Sequence, residues 1–274
     1  MTDQEDTWRR QPTVTAAQLV TDMHRLGLHE GATVLVHSSL SQLGHVEGGA
    51  DAVVDALVTV VGPAGTVLFP TLTGSEVDGP QDPPVVDVTL TGCWTGRIPE
   101  TARRREQAVR SLHPTHSIAA LGSAADHYAA GHETGQTPCD EVSPYARLIA
   151  KGGFILLLGG VTQESNTTLH CLEELAHVPY HLQPDITDGI VIDFSGNEHV
   201  VRNRLHLWGW ERDFLKVNRP LKGARAIQSG QVGQSTSHLI SARLLADTIL
   251  PMLEADPLYL LSEPARKAFV SASL

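Results

Sequence analysis

The run NTTLHCLEELAHVPYH, residues 166–181, carries three histidines and two adjacent glutamates. A helix opening at Asn166 or Thr167 brings His170 beside Glu173, three residues on, and Glu174 beside His177 in the same way. An imidazole held by a carboxylate is the recurring general-base unit. The acid fixes the tautomer and stabilises the imidazolium formed when a proton is taken. The spacing alone is common on solvated helix faces. His170 and Glu173 stand out because they fall in the first turns after the strand-like FILLLGG. His177, a turn or more along, and Glu174, on another face, read as ordinary helix surface. His181 lies past Pro179, outside the helix.

Three more segments put polar groups just past apolar runs, where α/β proteins build their sites. They are HSSLSQLG at 37–44, PTLTG at 70–74 and RSLHPTHS at 110–117. Ser38 and Ser39 suit a loop that binds phosphate or amide groups, or a turn that caps a helix. As acyl nucleophiles they lack the GxSxG elbow of a hydrolase. Pro114 breaks helical spacing between His113 and His116, no matching Cys or acidic set is near, and HExxH is absent, so no metal is expected. The run Arg103, Arg104, Arg105 reads as a solvated face, whereas Arg110 sits usefully beside the HPTHS loop.

The elements that must position these groups follow from periodicity. Helical spacing marks 13–26, with Thr15 as N-cap, then 51–61, a basic helix over 97–110, and 123–130. A helix opens at Ser143 with Pro144 in its first turn and ends at glycines. A last amphipathic helix is predicted over 235–253. TVLVHSS, TVLFPT, the segment after HPTHS and FILLLGG read as strands, and GIVIDFSG with EHVVRNRLHLW as a hairpin around Ser195-Gly196. Residues 74–94 form a long loop, a length that is commonly functional. The expected architecture is α/β, a single domain over 13–274 with a mixed central sheet flanked by helices, after a flexible N-terminus at 1–12.

The chain has 274 residues and a formal net charge of −11. Its basic residues form no stripe interleaved with aromatics, so a nucleic-acid partner is not expected. A cationic small molecule is electrostatically favoured. The longest apolar runs fall well short of the ~20 residues of a membrane span. Cys93, Cys139 and Cys171 have no CxxC spacing, and the N-terminus lacks the apolar stretch of a signal peptide. A cytoplasmic protein is expected, as monomer or homodimer.

Taken in order, VLVHSSLSQLG, the Gly48-Gly49 pair, TVLFPT, GRIPE, RSLHPTHSIAALG, SPYARL and GGVTQESNTTLHCLEELA resemble the aminoglycoside 3-N-acetyltransferase, or antibiotic acetyltransferase, family. The resemblance runs from about Thr13 to the C-terminal helix. It implies a fold distinct from GCN5-like acetyltransferases and acetyl-coenzyme A as co-substrate. The acceptor it implies is the 3-amine of an aminoglycoside's deoxystreptamine ring, attacking the thioester directly. The family's catalytic histidine falls on His170 and its partner carboxylate on Glu173. The coenzyme-binding loop falls on His37, Ser38, Ser39 and Leu40, with Ser111, His113, His116 and Ser117 closing the cleft and Arg110 beside them. Thr73 or Ser38 is a candidate oxyanion donor. Asp82, Asp87, Glu211 and Asp213, in the less clearly matched stretches 74–94 and 206–214, are candidates for binding the cationic acceptor. Cys171 stands where many relatives have a second histidine, and is read as a packing residue.

Overall fold

The runs that read as continuous apolar strands are buried on both faces in the computed structural model, which describes residues 12–272. The expected flexible segment 1–12 therefore lies, apart from Pro12, outside the described residues. β1 (Thr13–Val14) leads into α1 (Ala16–Leu26), whose Thr15 cap accepts from the Gln18 N–H. β2 (Thr33–Ser38), the short β3 (His45–Val46), α2 (Gly49–Val61) and β4 (Thr66–Pro70) follow. The loop at 74–94 contains β5 (Val85–Asp87), and α3 (Arg97–Arg103) comes after it. β6 (Val109–Arg110) and β7 (Ile118–Gly122) flank the HPTHS loop. Next are α4 (Ala125–Ala129), α5 (Pro144–Lys151), β8 (Phe154–Leu158) and α6 (Thr168–Leu175). The chain closes with β9 (Thr187–Ile192), β10 (Glu198–Asn203), α7 (Asn218–Gly223), β11 (Ile227–Val232), β12 (Ser235–Ser241), α8 (Ala242–Ala255) and α9 (Glu263–Ala272).

The main sheet has seven strands in the order β11-β12-β8-β2-β4-β7-β6. β2 runs parallel to both β4 and β8, while the outer pairings are antiparallel, which makes the sheet mixed. Alternation along the central strands divides the interior in two. Leu35, Leu68, Ile155 and Leu157 face one core with α5, α6 and α8. Val34, Val36, Val67, Phe69, Leu156 and Leu158 face the other with α1, α2 and α3. Covering both faces with helices explains why these strands read as unbroken apolar runs. A smaller sheet, β10-β9-β5, sits apart. Its β9–β10 hairpin turns at Gly196, whose φ of 81° a side chain would resist.

Three expectations are corrected. The helix from 97 stops at Arg103, and Val109–Arg110 joins the sheet edge. Arg103 is buried, donating to Glu100 through two nitrogens and to the Thr89 carbonyl, so it is no solvated face. Residues 235–241 form a strand, and the helix begins only after the Ser241 cap, which accepts from the Leu244 N–H. Leu239 and Ile240 enter opposite cores, so strand and helix here share one apolar pattern. Among the described residues, no helix is long and apolar enough to cross a membrane.

Candidate active site

The parallel strands β2 and β8 end on the same side of the sheet, where a cavity of about 490 Å³ opens. His37 and Ser38 reach it from the end of β2, Pro70, Leu72 and Gly74 from the end of β4, and Glu164, Thr167 and His170 from the segment after β8. Gly159 makes that last approach possible. At φ 77° its α-carbon sits so near the loop after β2 that a Cβ would fall 2.4 Å from the Ser39 carbonyl. The opposite wall is Trp94 together with His206, Trp208, Trp210 and Arg212.

His170 is at the cavity wall and its Nδ1 lies 2.6 Å from Glu173 Oε2. Glu173 is fully buried. Burial alone would raise its pKa, but His181, the bond from His170 and the Arg212 guanidinium together hold it below the ordinary carboxylate range. An ionised Glu173 makes Nδ1 of His170 the protonated nitrogen and leaves Nε2 with its lone pair. That is the tautomer a base requires.

Glu174 does not lie on a helix surface as its position suggested. It is buried, accepts from the Cys139 N–H at 2.9 Å and from the Thr137 hydroxyl, and meets His206 Nε2 at 2.6 Å. Burial lifts its pKa to about 8, so near neutrality it holds or shares a proton with His206. His177 is exposed, as the periodicity indicates. His181, expected outside the helix, returns to the site and stacks on His170, with ring centroids 5.2 Å apart and an angle of 16°. One ring nitrogen each from His170, His181 and His206 lies within 4.8 Å of the other two, close enough for a metal ion. Their outer partners in this structure are Glu173, Glu174 and Arg212.

Of the residues expected to bind coenzyme, His37, Ser38 and His116 line the cavity. His37 Nε2 and Ser38 Oγ are buried without a hydrogen-bond partner among the described residues, which leaves polar atoms in the wall for a polar ligand. Ser39 Oγ contacts Ser41, and Leu40 packs against the core on the α1–α3 side. Thr73 donates to the Pro114 carbonyl at 2.7 Å, which ties the two loops together. Arg110, Ser111, His113 and Ser117 are buried behind the wall. Arg110 donates to Ser117 and to the carbonyls of Thr71, Val88 and Thr91. His113 Nδ1 accepts from the Thr115 and His116 amides, and Ser111 Oγ accepts from the Ile118 amide. These four shape the loop that presents His116.

The candidate carboxylates for the acceptor are elsewhere. Asp82 is exposed, Asp87 caps its own turn by accepting from the Thr89 and Leu90 amides, and Glu211 accepts from Ser262. Asp213 is half-buried beside the Leu260 strand-like contact and, like the other three, does not line the cavity. Among the described residues that do, Glu164 is the one carboxylate. The stretch 206–214, read as the place of substrate choice, supplies instead His206, Trp208, Trp210 and Arg212. Cys171 is fully buried in the core between the sheet, α6 and α8, as a packing residue should be.

A carboxylate-backed imidazole faces a cleft at the ends of parallel strands, an arrangement that can take a proton from a bound group. The profile of the family described as aminoglycoside 3-N-acetyltransferase matches residues 35–254. Aminoglycoside N(3)-acetyltransferase VII of Streptomyces paromomycinus is 35% identical over 260 residues, covering 85% of this chain and 89% of that protein. The crystal structure of aminoglycoside acetyltransferase AAC(3)-IVa, a histidine-to-alanine mutant in complex with apramycin, matches with a TM-score of 0.73 and 31% identity over 91% of this chain and 96% of that one. AAC-IIIb, as a binary complex with CoASH, matches with a TM-score of 0.76 and 25% identity over 89% and 97%. The chain belongs to the aminoglycoside 3-N-acetyltransferase family, and it is an acyltransferase.

Proposed function

We propose that the protein transfers the acetyl group of acetyl-coenzyme A to the 3-amino group of the deoxystreptamine ring of an aminoglycoside, and thereby confers resistance to it. The observation that carries this is the His170–Glu173 pair, with Nδ1 fixed on the carboxylate and Nε2 left for the substrate side. The amine reaches the site as an ammonium, which has no lone pair to attack with. His170 Nε2 takes its proton, and the freed amine attacks the thioester carbonyl directly as the carbon–sulfur bond breaks. His170 passes that first proton to solvent, then takes the second proton that the nitrogen sheds as the carbon–nitrogen bond forms and gives it to the departing thiolate, so the products are the amide, the free thiol and one solvent proton. In this reading Ser38, whose hydroxyl has no hydrogen-bond partner among the described residues, donates to the carbonyl oxygen.

The CoASH complex of AAC-IIIb supports the donor and the apramycin complex of AAC(3)-IVa supports the acceptor class. A serine-based hydrolase is disfavoured, since Ser39 bonds Ser41 and Ser38 Oγ has no hydrogen-bond partner among the described residues. The test is mass spectrometry of several aminoglycosides incubated with acetyl-coenzyme A and enzyme. One acetyl group on the 3-amine is expected. His170→Ala should bind coenzyme A normally yet lose about 10²–10⁴ in turnover. An active His170→Ala, or coenzyme release with no acylated product, overturns the reading.

A further inference from the structure

Glu173 Oε2 faces two histidines. His170 Nδ1 is 2.6 Å away and His181 Nδ1 is 3.3 Å away. Both rings are within reach of one carboxylate oxygen, which has lone pairs for two N–H donors, so a proton on His181 Nδ1 would divide its hold on His170. The two rings are stacked, so neither is excluded by its placement.

The arbiter is visible in the next contact. Arg212 Nη2 lies 3.0 Å from His181 Nδ1, and Arg212 Nε lies 3.4 Å from Glu173 Oε1. A guanidinium only donates, so His181 Nδ1 must accept. A neutral imidazole that accepts at Nδ1 carries its proton on Nε2. His181 then has nothing to give Glu173 Oε2, and the carboxylate goes to His170. Two further observations fit. His181 Nε2 meets no acceptor at hydrogen-bond distance among the described residues, Glu174 Oε1 lying 3.9 Å away, so the contact that sets the tautomer is the Arg212 bond at Nδ1. Arg212 itself is anchored, donating from Nη1 to the Trp210 carbonyl at 2.8 Å and lying 5.5 Å from the Tyr180 ring centroid.

We infer that Arg212 is a positioning residue: by occupying Nδ1 of His181 it prevents that ring from competing for Glu173 and so reserves the carboxylate for His170. The inference rests on His170 being the base. The groups around His181 are Glu173, Glu174, His170, His206 and Arg212. Burial keeps His181 neutral, its pKa being lowered to about 3, so the competition is between tautomers of an uncharged ring.

The test joins a spectroscopic and a kinetic measurement on the full chain. Long-range ¹H–¹⁵N NMR of histidine-labelled protein, with His181→Phe to assign the signal, should show His181 neutral with its proton on Nε2 near pH 7.5. Arg212→Met should move that proton to Nδ1 and lower kcat about 10–100-fold. The double variant Arg212→Met with His181→Phe removes the competitor while keeping an aromatic ring against His170, and should recover most of the lost kcat. Arg212→Lys, which keeps a charged donor, covers the case in which Arg212→Met does not fold, and should retain the Nε2 tautomer. The pH profile separates two roles. Loss of Glu173 from His170 moves the acid limb of kcat/KM to lower pH, whereas mere loss of a nearby positive charge moves it higher. An Nδ1–H tautomer in the wild type, unchanged kcat in Arg212→Met, or no recovery in the double variant overturns the inference. Failure of His170 as base would show separately, as activity in His170→Ala.

Discussion

Acidification should unfold this protein early, and the reason lies in its interior histidines. His37, His113, His116, His132, His181 and His206 are all buried. Burial lowers every one of their pKa values: to about 3 for His37 and His181, to about 4 for His132, and well below the ordinary 6.5 for the other three. Five of the six rings form a continuous path. His132 stacks on His113 at 4.5 Å, His113 meets His116 at 6.1 Å, His116 meets His206 at 4.2 Å, and His206 meets His181 at 4.1 Å. Charging one would repel the next. The folded state therefore keeps these rings neutral while the unfolded chain takes up protons as pH falls through about 6.5, so their contribution to stability is present above that pH and is lost below it. Between about pH 7.5 and pH 5.5 each buried histidine shifts the balance by roughly 1.4 kcal/mol, or about 8 kcal/mol for six. Glu174 works in the other direction. Its raised pKa of about 8 makes the folded state bind a proton that an unfolded carboxylate does not, which adds stability as pH falls. This returns about 2–3 kcal/mol over the same interval. A net loss on the order of 5 kcal/mol is a large share of a typical domain's 5–15. Differential scanning calorimetry at the two pH values should show the melting temperature falling by about 10–20 °C. Melting temperatures within about 3 °C of each other would refute the reasoning, because six neutral buried imidazoles require the drop.

Two further outcomes follow from single contacts. Glu164→Gln, which removes the one carboxylate lining the cavity among the described residues, should raise KM for a cationic aminoglycoside several-fold while leaving KM for acetyl-coenzyme A near its original value, as read from steady-state kinetics with each substrate varied. Leu157→Ala, at a fully buried position of the central strand β8, should cost about 2–5 kcal/mol in urea-unfolding free energy with little change in the far-UV circular dichroism.

Much of the site was legible because chemistry and periodicity coincide there. His170 and Glu173 are three apart on one helix, so their contact needs nothing beyond helical geometry. The helix caps at Thr15 and Ser143 were likewise local, each hydroxyl accepting from an amide three residues on. Glu174 shows where local reasoning stops. Helical geometry turns it away from Glu173, but whether that other direction meets water or protein depends on Thr137, Cys139 and His206, which no spacing rule connects to it. The strand at 235–241 was hidden for a related reason. Its apolar residues enter two different cores, so neither a period of two nor one of 3.6 singles it out.

The sequence by itself determined the α/β class, the strands that are buried on both faces, the contact of His170 with Glu173, and through its ordered motifs the acetyltransferase family. These are properties of near neighbours in the chain, where dihedral geometry already dictates who meets whom. Only the tertiary structure decided that His181 and Arg212, 31 residues apart, bracket Glu173, that Glu164 and three tryptophans line the cavity, and that the HPTHS loop is held from within by Arg110 and Ser111. Such contacts depend on how the ends of β2, β4 and β8 are brought to one edge of the sheet, and on which side chains burial then leaves without water. That is a property of packing, and residues distant in the chain acquire their roles only once the packing is made.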